Sequence, residues 1–217
     1  MLLGAALVLA ALDWVAVARR IAPLEYVCKP AAALAFLATA LTLDPASSAS
    51  RTWCCVALGF CVIGDVFLML PRDAFLPGLA AFAVAQTCLA ASFALQDPTA
   101  LRLVIAVVLV VPSAVILARR FVGAVARGGN GSGDGVGDGL GDGVLVPALV
   151  LYITVIAAMV VSALAGGTVV GVAGALLFLT SDSLIAEHRF VAARSWQPLA
   201  IIVTYHLALA ALVLGQL

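Results

Sequence analysis

The chain has 217 residues, 65% of them hydrophobic and only 10% charged, with a mean hydropathy of +1.23 and no net charge. A soluble domain carries about 25% charged residues, so this chain cannot cover a globule with polar surface and reads as an integral membrane protein. Its balanced charge offers no basic patch for a nucleic-acid partner.

A spanning helix needs about 20 mostly apolar residues. Eight stretches meet that measure: 1–18, 26–43, 53–71, 75–95, 101–118, 145–166, 168–187 and 196–217. They predict an all-α, polytopic bundle of eight transmembrane helices in a single membrane domain over 1–217. Ala16-Val17-Ala18 has the look of a signal-peptide cleavage site. However, the segment has no basic start, and Asp13 and Trp14 interrupt its apolar core, so it is read as a retained helix. Cys28, Cys54, Cys55, Cys61 and Cys88 have neither zinc-site nor redox-pair spacing and are read as small apolar packing residues.

Basic residues set the expected orientation. Arg19 and Arg20, Arg72, Arg119, Arg120 and Arg127, and Arg189 and Arg194 follow the odd-numbered helices and share one side, against Arg51 and Arg102 on the other. A multi-pass protein of the cell membrane with both termini away from the cytoplasm is expected. Most connections are short, so neighbouring helices should pack antiparallel. The stretch 128–143, GGNGSGDGVGDGLGDG, repeats Gly-Asp-Gly every four residues and is expected to be a flexible cytoplasmic loop.

Two apolar helices each contain an aspartate after a small residue: Gly64-Asp65 in the third and Ser181-Asp182 in the seventh. A carboxylate at membrane depth costs about 2.5–3.5 kcal/mol on insertion scales, and such residues are functional candidates by default. Both helices run inward under the expected orientation. At about 1.5 Å per residue both acids lie roughly 8–9 Å from their helices' inner ends. Lys29 near the start of helix 2, Gln86 midway along helix 4, Tyr152 two turns into helix 6, and Tyr205 and His206 midway along helix 8 reach a similar depth.

Each polar residue also has a plain packing reading. Lys29 could pair with Glu25 at i,i+4 and snorkel. Tyr152, Tyr205 and Gln86 could simply bond neighbouring helices, and His206 could be a satisfied packing residue. Two histidines without a cysteine cluster do not make a metal site, so none is expected.

In this order and at these spacings, the residues resemble the YhhN-type lysoplasmalogenase family of eight-helix membrane proteins. Lys29-Pro30, Gly64-Asp65 with Leu68, Phe75, Gly78-Leu79 and Phe82, Tyr152 and Met159, Gly174, Phe178, Ser181-Asp182 and Phe190, and Trp196 with Tyr205 carry the resemblance. Gln86 stands where the family usually has histidine. His206 and Leu209 depart from its Tyr-Tyr and glutamine pattern in the last helix.

The resemblance implies hydrolysis of the vinyl ether bond of lysoplasmalogens to a fatty aldehyde and a glycerophospho-amine. The substrate would be a lysophospholipid taken from the lipid bilayer, and no cofactor is implied. Vinyl ether hydrolysis needs an acid to protonate the β-carbon and an anion to stabilise the oxocarbenium ion that water captures. Asp65 and Asp182 suit these roles as a pair of carboxyls in different settings, without the sequence saying which is the acid. Lys29, Gln86, Tyr152, Ser181 and Tyr205 are candidates for binding the headgroup or the water. The same acids and lysine would also suit a proton-coupled or small-molecule transporter, or a protein in which they only fix helix register. The oligomeric state is not legible.

Overall fold

Long apolar runs punctuated by caps and prolines make this chain a set of helices. The computed structural model describes residues 1–70, 74–127 and 142–217. Among them are eight α-helices and no strand: α1 (Leu2–Arg19), α2 (Ala22–Thr42), α3 (Ser48–Met69), α4 (Phe75–Ala94), α5 (Ala100–Ala126), α6 (Asp142–Gly166), α7 (Val169–Ala186) and α8 (Gln197–Leu214). A π-helical turn, Glu187–Val191, prolongs α7. All eight helices are long and apolar enough to cross a membrane, and the protein is a multi-pass membrane protein. The Gly/Asp-rich loop expected over 128–143 lies outside the described residues except at its end, where residues 142 and 143 open α6.

Three helix starts are set by side-chain caps. Ser47 accepts from the Ser50 amide, Thr99 from Arg102 and Thr168 from Gly171, each satisfying an amide that the first turn leaves without a partner. Pro23 sits in the first turn of α2, where its missing N–H is harmless. Three helix limits differ from expectation. α2 and α3 begin at Ala22 and Ser48 rather than at 26 and 53, and α5 continues to Ala126 rather than stopping at 118. Hydropathy marks the part of a helix that suits hydrocarbon, whereas the backbone also winds through the polar start of α3 and past Arg119-Arg120 of α5, beyond which Phe121, Ala124 and Val125 pack in the core. At 27 residues, α5 is about 40 Å long, well over the ~30 Å hydrocarbon core. Its Arg120, expected in a loop, lies within the helix. It donates from Nε and Nη2 to the Glu187 carboxylate at 2.8–3.0 Å.

Seven helices close a ring. α1 packs on α2, α2 on α3, α3 on α4, α4 on α6, α6 on α7, α7 on α8, and α8 returns to α1. α8 also touches α2 and α3, so it leans into the ring, while α5 stays outside against α6 and the π-helical turn. Accordingly α5 leaves Leu101, Val104, Val108 and Ile116 mostly exposed, which is what a lipid-facing helix does. One main core fills the ring, around Phe36, Leu58, Leu89, Phe93, Met159 and Phe178. A second cluster around Phe75, Phe121, Leu149 and Phe190 closes the arginine-rich end.

The opposite end is fastened by polar groups. Buried Ser50 accepts from Gln96 Nε2 at 2.9 Å and lies 2.8 Å from Gln216 Oε1, while Ser92 donates to the Ser50 carbonyl. Arg51 donates to the Leu43 carbonyl and Arg102 to that of Gly167. Loop carbonyls at this end therefore have partners inside the protein, as buried backbone requires.

Candidate functional site

α3 brings Asp65 into the ring, where it is 1% exposed. Tyr205 of α8 donates to its Oδ2 at 2.7 Å, and Lys29 Nζ of α2 stands 3.6 Å from its Oδ1. Lys29 thus turns to Asp65 of another helix, not to Glu25 on its own. Gly64 explains why a small residue precedes the acid. A Cβ there would lie 2.6 Å from the Phe82 ring, so its absence lets α4 set an aromatic directly on α3. One residue makes the helix contact and the next carries the charge.

α7 brings in Asp182, which is half-buried. Tyr152 of α6 donates to its Oδ2 at 2.5 Å and Gln86 Nε2 of α4 lies 3.4 Å from the same atom. No cation pairs with it among the described residues. Ser181 plays the part of Gly64: it is buried, and its hydroxyl donates to the Ile201 carbonyl of α8 at 3.1 Å. Of the residues proposed from sequence, Lys29 and Tyr205 gather at Asp65, and Gln86 and Tyr152 at Asp182. Ser181 joins neither group.

Asp182 and Tyr152 form the shared wall of two apolar clefts. One runs under α5 past Val110, Ser113, Leu117 and Phe121. The other lies beside Leu68, Phe75, Phe82 and Phe190. Apolar walls with a few converging polar groups are the usual make-up of a small-molecule site. Phe82 links the two acids' surroundings. It lines the second cleft and meets Tyr205 edge-on at 6.1 Å, and both rings meet Phe178 in the same manner. Leu68 lines the second cleft and also a cavity with Glu25, Tyr26 and Lys29. That cavity shares Ala22 and Glu25 with an open basin at the helix ends, where Arg20, His188, Arg194 and Trp196 gather.

A further polar group went unnoticed in the sequence. Asp13 of α1 is fully buried, 4.0 Å from His206 Nε2 of α8, and Trp14 donates to His206 Nδ1 at 3.1 Å. The signal was present, because Asp13 interrupts an apolar run as Asp65 and Asp182 do.

Residues 24–216 match the YhhN family. Neither the curated proteins nor the solved structures give a match. The match takes in both aspartates and all their hydrogen-bond partners, and leaves Asp13 and Trp14 outside it.

Proposed function

The chain belongs to the YhhN family, and we propose that it hydrolyses the vinyl ether bond of lysoplasmalogens within the membrane, with Asp182 as acid and Asp65 as the standing anion. The family is associated with that activity. The observation that carries the division of labour is the difference in partners. Asp65 has a lysine and a tyrosine, whereas Asp182 has only neutral donors and borders both apolar clefts.

In this reading a single-chain lipid lays its alkenyl chain in a cleft beside Asp182. Asp182 gives its proton to the β-carbon of the vinyl ether, and the former double-bond electrons form the new C–H bond. The oxocarbenium ion left behind is stabilised by carboxylate charge nearby. Water adds to it, releasing a proton, and the hemiacetal collapses to a fatty aldehyde and the free glycerol hydroxyl. Tyr152 and Gln86, both on Oδ2, hold the carboxyl so that Oδ1 carries neither bond. Lys29 and Tyr205 hold Asp65. Ser181 is left out of the machinery because its hydroxyl is committed to α8. The phosphate of the headgroup belongs in the basin with Arg20 and Arg194.

Purified protein in detergent should release fatty aldehyde from a lysoplasmalogen, without added metal or nucleotide. It should spare the ester- and alkyl-linked analogues, which give no vinyl-stabilised cation. Absence of aldehyde from every vinyl ether lipid, alongside proton or ion flux in sealed vesicles, would replace the hydrolase with a transporter.

A further inference from the structure

The corner where α1, α2 and α8 meet holds polar atoms that the mechanism above does not use. Asp13 is fully buried and neither carboxylate oxygen has a hydrogen-bond partner. His206 is 1% exposed, and its Nε2 has none either. Nε2 and Asp13 Oδ2 are 4.0 Å apart, too far for a direct hydrogen bond. Orphaned polar atoms at such depth are costly, and each requires an explanation such as an ordered water or ion.

Trp14 decides between those two. An indole N–H only donates, and this one donates to His206 Nδ1 at 3.1 Å. Nδ1 is therefore bare, and the neutral ring carries its proton on Nε2. A metal ion at Nε2 would need the lone pair there and the proton on Nδ1, where it would displace the Trp14 bond. The guest must instead accept from Nε2–H and donate to a carboxylate. Water does both, and a buried water needs two to four such partners. The ring is otherwise enclosed by aromatics, with Trp14, Phe36 and Tyr205 centroids at 6.4, 6.4 and 5.5 Å.

The corner adjoins the chemistry. His206 follows Tyr205, whose hydroxyl holds Asp65, and the two rings lie 5.5 Å apart. Two of the three residues, Asp13 and Trp14, come from a helix outside the family match.

We propose that Asp13 and His206 bind a water molecule between them, and that this site supplies the water consumed by hydrolysis on the Asp65 side. The supply role rests on the hydrolase reading above, whereas the water site stands without it.

The test pairs a high-resolution structure of the full chain in lipid with turnover of the double variant Asp13→Leu/His206→Phe, which removes all three orphaned atoms and keeps the corner filled. Density for a water within hydrogen-bond reach of Nε2 and the carboxylate is expected, and a dry gap overturns the site. His206→Phe and the double variant both leave the Trp14 N–H without its acceptor, a loss that cancels in the double-mutant cycle, so the double variant should lose less stability than the two single variants together; additive losses would also overturn the site. With the water gone, kcat should fall by about tenfold or more at little-changed KM, and a normal kcat overturns the supply role. If the double variant fails to fold, Asp13→Asn replaces it: its amide oxygen still accepts, so water and kcat should both persist. Loss of kcat with the water retained would then overturn the supply role. A visible water in an unmodified chain that turns over no vinyl ether lipid would sink the hydrolase reading and leave the site standing.

Discussion

Lys29 and Asp65 meet across two helices, ammonium to carboxylate at 3.6 Å, with the lysine side chain 14% and the aspartate 1% exposed. Removing one partner of such a buried pair strands the other, at roughly 3–5 kcal/mol, whereas removing both costs far less. Lys29→Met should therefore melt well below the unmodified protein, and Lys29→Met/Asp65→Asn should recover most of the loss. Thermal scanning in detergent reads this directly. Equal melting of single and double variants would mean that the pair contributes nothing.

Asp182→Asn and Asp65→Asn should each abolish most aldehyde release while the protein stays folded. The amide keeps shape but neither delivers a proton as an acid nor carries charge, and general acid help alone is worth about 10²–10⁴-fold. A folded Asp182→Asn with near-normal turnover would end the assignment.

Tyr152→Phe deletes the 2.5 Å bond to Asp182 and leaves the ring in place. A hydrogen bond to a charged group is worth about 1.5–3 kcal/mol, so turnover should drop by about 10–100-fold. Ser181→Ala should lower stability through the lost tie to Ile201 and leave kcat nearly unchanged in the folded fraction.

Gly64→Ala drives a methyl to 2.6 Å from the Phe82 ring. Overpacking of this kind costs typically about 1–3 kcal/mol. Because the obstacle is a side chain, Phe82→Leu should restore the melting temperature of Gly64→Ala. Gly174→Ala meets the Leu212 amide nitrogen at 2.9 Å, and no side-chain change on α8 should rescue it.

Arg20→Gln with Arg194→Gln should raise KM for a phosphorylated lysoplasmalogen and leave kcat alone. The headgroup-free alkenyl glycerol should be processed equally by variant and parent. An effect of the same size on both substrates would move the phosphate out of the basin.

Eight apolar spans and two intramembrane acids were legible because hydropathy and charge are properties of single segments. Pairing was not. Periodicity tells which residues share a helix face, but not which helix that face meets. Hence Lys29 could be read toward Glu25, and Ser181 could be placed at the site although it ties α7 to α8. The limits of α2, α3 and α5 escape hydropathy for a related reason: the polar first turn of α3 carries no apolar signal, and the Arg119-Arg120 pair hides that Phe121, Ala124 and Val125 beyond it pack in the core. Asp13 and His206 lie 193 positions apart in the chain, and only the closure of α8 onto α1 brings them together.

The position of α5 has a consequence for traffic. The larger cleft beside Asp182 is roofed by this one helix, which among the described residues packs chiefly on α6 and the π-helical turn and contains Pro112 at the level of the cleft. A helix packed mainly along one side, with a proline that removes one of its backbone hydrogen bonds, is free to swing aside at that point. A single-chain lipid could then slide sideways from its leaflet without its tail meeting water. On the hydrolase reading the two products would part company: the aldehyde would dissolve back into the bilayer behind α5, and the glycerophospho-amine would leave past Lys29 and the arginines at the helix ends.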